Sequence, residues 1–184
     1  MQRELVEQAQ RGDQEAYAAL VNLAADRLYA VAFRILRDRD RAEDALQQAL
    51  VDVWRDLPDL RDPERFEAWA YRLVCRASYR EAHRVRRITG WVRDVPLAGG
   101  PVDGDPSNRL CERDELERGF RRLTPEHRAV LVLHFFVGLP VTEIAETLDI
   151  PIGTAGSRLH YAVRSLRAAY EADARNVVAW RRPA

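Results

Sequence analysis

The chain contains no lysine: all 29 of its basic residues are arginine, set against 29 acids. Lysine-based covalent chemistry is therefore excluded, and the cations present are planar forks suited to carboxylates and phosphates. A biased genomic base composition explains the same pattern, so this absence alone assigns no function. Cysteine is also scarce. Cys75 and Cys111 stand apart, with no CxxC pair and no Cys/His cluster, which fits reduced thiols in a cytoplasm; the two could pair with each other, but nothing in the sequence supports it. Long apolar runs are missing: the longest, Ala129 to Val141, is too short for a membrane span and contains His134. The polar start MQRELVEQAQRGDQEAY is no secretory signal. No HExxH, P-loop or GxSxG is present, and His83, His127, His134 and His160 lie in no ligand spacing, so neither a metal nor a cofactor nor an enzymatic activity is expected.

What is present is concentrated between Leu123 and Arg167. Thr124 is a good N-cap, and Pro125 occupies the first helical turn, where proline is tolerated. Thr142 is expected to cap a second helix, VTEIAETL, and Asp149-Ile150-Pro151 to stop it. A third helix restarts at Ile152. A short helix, a three-residue turn and a longer helix form a helix-turn-helix, whose second helix enters the major groove. At 100° per residue Ala155, Leu159, Ala162, Val163 and Leu166 fall on one face, and Thr154, Ser157, Arg158, Tyr161 and Ser165 on the other. Hydroxyls, a guanidinium and an aromatic ring are groups that read bases or hold phosphates. An ordinary amphipathic helix has a solvated polar face too. The turn chemistry, small Ala145 and Gly153 at the expected packing corner, and the lack of acids from Ile152 to Tyr170 favour DNA contact.

A net charge of zero is unusual for a DNA binder, but the charge is segregated. Residues 1–67 carry 10 arginines against 15 acids, and residues 68–93 carry 7 against 1. Residues 94–119 carry 3 against 7, 120–150 carry 3 against 4, and 151–184 carry 6 against 2. Two basic blocks separated by acidic ones point to two nucleic-acid contacts.

The fold class expected is all-α: two small helical domains joined by a flexible acidic linker, the second being the helix-turn-helix. Residues 1–90 form the first domain. Leu20, Leu23, Leu28, Val31, Ala32, Ile35 and Leu36 make one inward stripe, and Leu46, Leu50, Val53, Trp54 and Leu57 a second. A proline loop, Pro58 to Arg65, leads to a helix with Phe66, Trp69, Ala70, Leu73 and Ala77 inward. Residues 91–110 are rich in proline, glycine and aspartate, which is linker chemistry. The second domain spans 111–175, with its last helix ending near Arg175 and a fraying tail at 176–184.

Taken together, these motifs resemble the extracytoplasmic-function (ECF) group of the bacterial sigma-70 family over roughly residues 10–170. The carrying residues are Ala42, Glu43, Asp44, Gln47, Gln48 and Trp54, then Trp69, Tyr71 and Arg72. In the second domain they are Leu123, Arg128, Glu143-Ile144-Ala145, Pro151, Gly153, Thr154, Ser157, Arg158 and Leu159. The resemblance implies a sigma factor that binds core RNA polymerase and directs initiation at promoters. Glu43, Asp44, Gln47, Gln48 and Asp52 would meet the beta-prime clamp helices. The second domain would sit on the beta flap and read the −35 element through Thr154, Ser157, Arg158, His160, Tyr161, Arg164 and Arg167. The −10 element would fall to Trp69, Tyr71, Arg72, Arg76, Tyr79, Arg80, Arg84, Arg86 and Arg87, since stacking rings among arginines suit a melted strand. Trp69 reads more readily as core. An anti-sigma partner is implied as well, and the short tail argues against a large C-terminal extension.

Departures from the family pattern bear on specificity. Arg76 stands where the family often has asparagine, and Arg80 where it commonly has aspartate. Gly156 and Tyr161 replace basic residues of the recognition helix. An ordinary helix-turn-helix regulator acting on duplex DNA without polymerase would explain residues 123–170, but it leaves the first domain's arginine block and AED–Q stretch idle. A module that only sequesters another protein leaves both basic blocks idle.

Overall fold

The computed structural model describes residues 2–88, 117 and 119–180, and every regular element among them is helical. The first group comprises α1 (Gln2–Gln10), α2 (Gln14–Leu36), α3 (Arg39–Asp56) and α4 (Phe66–Ile88). Two 3-10 turns, Leu57–Asp59 and Pro63–Arg65, occupy the proline loop between α3 and α4. The second group comprises α5 (Pro125–Leu131), a π-helical turn at Val132–Val137, α6 (Val141–Leu148) and α7 (Ile152–Trp180). The linker expected at 91–110, Cys111 and the last four residues lie outside the described residues.

Local chemistry sets the helix ends. The Asp13 carboxylate accepts the backbone N–H groups of Glu15 and Ala16, and Asp38 accepts that of Arg41, which satisfies donors the first turns leave free. Thr124 caps α5 as expected, accepting from the His127 backbone. The π turn ends at Gly138, whose φ of 91° an L side chain rarely adopts. Thr142 does not cap α6. The helix begins one residue earlier, after Pro140, and lacks a side-chain cap bond. Asp149 ends α6 with a φ of 57°, so the expected stop holds. The last helix runs five residues past Arg175, because nothing from Asn176 to Trp180 is a helix breaker.

One buried cluster runs through both groups. Leu20, Val31, Ile35, Val53, Leu57 and Val74 of the first are continuous with Val130, Leu133, Ile144 and Ala155 of the second. A smaller cluster, Leu123, Leu131 and Ala162, lies between α5 and α7, with Leu159, Val163 and Leu166 packed against it. Two residues placed inward by spacing are exposed instead: Leu23 by 62% and Trp54 by 43%. Leu23 borders a shallow groove of about 270 Å³ beside Phe66 and Tyr71. The Trp54 ring lies at the rim, edge-on to Tyr17 at 4.6 Å, and the Tyr17 hydroxyl donates to the Leu50 carbonyl at 2.8 Å.

Arg128 joins the two groups. Its guanidinium donates to the carbonyls of Phe120 (2.9 Å), Arg121 (3.0 Å) and, 93 positions away, Ile35 (2.8 Å). Ile35 lies in the last turn of α2, where carbonyls lack helical partners and the dipole favours a cation. Arg34 stacks on Phe136 at 3.8 Å, and Arg37 pairs with Glu117. Arg128→Ala is expected to lower unfolding stability by about 2–3 kcal/mol, since three carbonyls lose a charged donor. Arg128→Lys should recover less than half, because a point charge cannot reach all three; urea denaturation of the full chain measures both.

Candidate nucleic-acid interface

Helix α4 is buried on two sides. Ala70, Tyr71, Val74, Cys75, Ser78 and Ala82 all lie in the core, between the first group and α5 and α6. Ser78 is accommodated there by donating to the Val74 carbonyl at 2.8 Å. Burial pushes the Cys75 thiol up to about 12, so it is an inert thiol at neutral pH. Glu67 and His83 reach solvent, and four-residue spacing places Arg72, Arg76, Arg80 and Arg84 as a ridge along the same exposed side.

Each arginine of that ridge is paired. Arg72 and Arg76 both face Asp149, at 2.7 and 3.6 Å, on the turn of the helix-turn-helix. Arg65, just before α4, meets Glu146 of α6 at 2.5 Å. The second half of the ridge is held from α3: Arg80 by Asp52 at 2.5 Å, and Arg84 by Asp44 at 3.6 Å as well as by neighbouring Glu81 at 2.9 Å. Arg86 and Arg87 have no described side chains.

The aromatic part of the expected −10 surface is corrected. Tyr71 is 3% exposed, and Trp69 packs partly against the core, 6.1 Å from the Phe66 ring. Burial holds the Tyr79 phenol well above its usual range, and its hydroxyl has no hydrogen-bond partner among the described residues. A helix packed on two sides takes its rings inward, so these residues form no stacking platform here.

The recognition helix presents the faces its period implies. Ala155 and Ala162 are buried, while Ser157, His160, Tyr161, Arg164 and Arg167 are exposed. Thr154 and Arg158 are half-buried, and the Ser157 hydroxyl donates to the Thr154 carbonyl at 3.0 Å. Tyr161 lies 4.7 Å from His127, whose pKa burial and the Arg158 charge both hold below its usual value. A neutral imidazole there avoids repelling Arg158. Gly153 fills no tight corner, contrary to expectation: a Cβ at Gly153 or Gly156 would meet nothing within 4 Å.

On α3, Glu43, Asp44, Gln47 and Gln48 form an exposed polar face as expected, joined by Val51 and Trp54. Asp52 does not belong to it: it is 4% exposed and turned toward α4. Val51 was legible only as an apolar residue interrupting a polar stripe. A second surface lay outside the sequence reading altogether. Phe135 and Phe136, exposed by 69% and 39%, border an open apolar groove of about 400 Å³ with Leu131, Val132, Val163 and Leu166. Among the described residues no cluster could hold a metal ion, and no helix is long and apolar enough to cross a membrane.

Family models for sigma-70 region 2 and sigma-70 region 4 match residues 20–88 and 119–168. The chain thus belongs to the sigma-70 family. Its relatives place it in the ECF group. It is 32% identical over 163 residues to the ECF RNA polymerase sigma factor SigL of Mycobacterium tuberculosis, covering 85% of this chain and 92% of that one. It is 26% identical over 181 residues to SigW of Bacillus subtilis, covering 91% and 95%. Among solved structures, CnrH in complex with the cytosolic domain of CnrY is similar at a TM-score of 0.67 and 27% identity, covering 94% and 98%. The sigma factor RpoE of Bartonella quintana shares the fold at the same TM-score with 20% identity, over 85% and 98%. The chain is a sigma factor that binds core RNA polymerase and directs promoter-specific initiation through −10 and −35 elements.

Two outcomes follow from this geometry. Replacing Asp149 by Asn, which tolerates the same backbone, together with Glu146→Gln, should raise the free chain's affinity for single-stranded DNA about 3–10-fold at low salt, read by fluorescence anisotropy. Gly156→Ala should raise stability by about 0.5–1 kcal/mol, read by thermal unfolding, because an open helical site gains only from the lost chain entropy.

Proposed function

We propose a division of labour in which residues 1–90 engage polymerase and the −10 element, 111–175 read the −35 element, and the 91–110 linker tethers them. The ridge Arg72, Arg76, Arg80, Arg84 holds the phosphates of the melted strand, and Arg86 and Arg87 are assigned to the same strand on the sequence pattern. Thr154, Ser157, Arg158, His160, Tyr161, Arg164 and Arg167 meet the −35 duplex. Glu43, Asp44, Gln47 and Gln48, with Val51 and Trp54, dock on the beta-prime clamp helices, and the Phe135–Phe136 groove docks on the beta flap. The chain acts in the cytoplasm as a specificity subunit; bond making stays with the polymerase. An anti-sigma protein is its further partner, as its family membership implies.

The observation that carries this reading is the pairing of the ridge. Four arginines aligned at helical spacing carry intramolecular carboxylates from α3 and from the helix-turn-helix turn. The exposed Asp149 carboxylate can occupy the Arg72–Arg76 end of the ridge in the free chain and yield it to phosphates, because exposed ion pairs are weak and exchange readily. A duplex-only regulator would have no use for the ridge or for the exposed α3 face.

Run-off transcription with bacterial core polymerase on a promoter library tests the proposal. Core-dependent initiation at start sites sharing −35 and −10 elements is expected. Arg72→Ala/Arg76→Ala should lower open-complex formation about tenfold or more without weakening core binding. Tight duplex binding without core, and no initiation with it, would establish the plain regulator instead.

A further inference from the structure

We propose that Asp52 is a positioning residue for the −10 strand: it fixes Arg80 and aims the free edge of that guanidinium outward. The inference rests on the assignment of the α4 ridge to the melted strand. The Asp52 carboxylate is enclosed between α3 and α4, with its side chain only 5% exposed. It accepts from Arg80 Nη2 at 2.5 Å and from Gln48 Nε2 at 3.1 Å, and lies 3.2 Å from Arg55 Nη2. A surface contact with polymerase needs an accessible carboxylate, and Asp52 has none to offer.

The charge arrangement shows what it does instead. The buried anion holds Arg80, whose side chain is 55% exposed, and also meets Arg55, which Asp56 holds by two further hydrogen bonds at 2.7 and 3.0 Å. The charge left facing solvent for a phosphate is that of the outer edge of Arg80. The guanidinium is a rigid plane, and anchoring one edge sets the direction of its other N–H groups. Those groups of Arg80 make no hydrogen bond among the described residues. Arg72 and Arg76 differ, because their carboxylate, Asp149, is 66% exposed and belongs to the other helical group. Separation of the two groups removes Asp149 but leaves Asp52 where it is. Gln48 completes the arrangement: it is exposed on the polymerase-facing side of α3 and donates to the same carboxylate that orients Arg80.

The test uses the full chain bound to core polymerase. The probe is a fork-junction DNA with a duplex −35 segment and a single-stranded non-template −10 segment, taken from a start site that the wild-type chain uses. Asp52→Asn preserves shape and removes the charge. Asp52→Asn and Arg80→Ala should each weaken probe binding about 5–10-fold, and the double variant should be no more than about twofold worse than either, since both remove one shared contact. Core affinity should stay within about twofold. Arg80→Lys, at an exposed position that leaves the fold intact, keeps charge without the fork and should lose most of what Arg80→Ala loses. Wild-type probe binding by Asp52→Asn, or tighter binding, overturns the inference, as do additive effects in the double variant. Loss of core affinity in Asp52→Asn returns that residue to the polymerase contact and overturns it equally. Wild-type probe binding by Arg80→Ala removes Arg80 from the strand contact altogether, and overturns the ridge assignment at that position.

Discussion

The Arg128 guanidinium, closed on three backbone carbonyls, is the constraint on which the arrangement depends. Phe120 and Arg121 end the segment leading into α5, and Ile35 lies in the last turn of α2. One side chain therefore satisfies carbonyls that neither helix can satisfy alone and couples the second helical group to the first. The apolar contacts of Val130, Leu133 and Ile144 with the first group's core add area, but the hydrophobic effect is non-directional. The fork supplies the direction. With that orientation set, α6 lies along α4, and Glu146 and Asp149 fall on Arg65, Arg72 and Arg76.

Helix α4 then carries two incompatible demands. Two packed sides require apolar and small residues, and the nucleic-acid surface proposed for it requires cations. Arg72, Arg76, Arg80 and Arg84, four positions apart, follow the strip of α4 that reaches solvent, with His83 exposed beside Arg84. The rings of Tyr71 and Tyr79 turn into the packing instead. The carboxylates opposite the arginines fall into two kinds. Asp149 belongs to a group that can depart, whereas Asp52 is built into the same unit as its arginine.

Much of this was legible in the sequence, and the part that was not has a common cause. Helical spacing placed the inward stripes of α2, α3 and α7, and Thr124 and Asp149 marked helix ends correctly. These are local signals, decided within one or two turns. Trp54 and Leu23 were misplaced because a period identifies a face but not where its edge meets solvent. Thr142 failed as a cap because Pro140 already supplies the extended backbone that precedes a helix. Asp52 looked like its exposed neighbours Gln47 and Gln48, and only the approach of α4 shows that it points inward. Contacts such as Arg72 with Asp149, 77 positions apart, depend on how whole helices dock, which no single segment encodes.

The last helix has a mechanical consequence. Running unbroken from Ile152 to Trp180, α7 is about 43 Å long and is packed on α5 through Leu159, Ala162, Val163 and Leu166. A straight helix carried on such a seam turns as one piece with the element beneath it. A tilt of α5 by about 10° would therefore swing the far end of α7 by about 5 Å, close to one helical pitch.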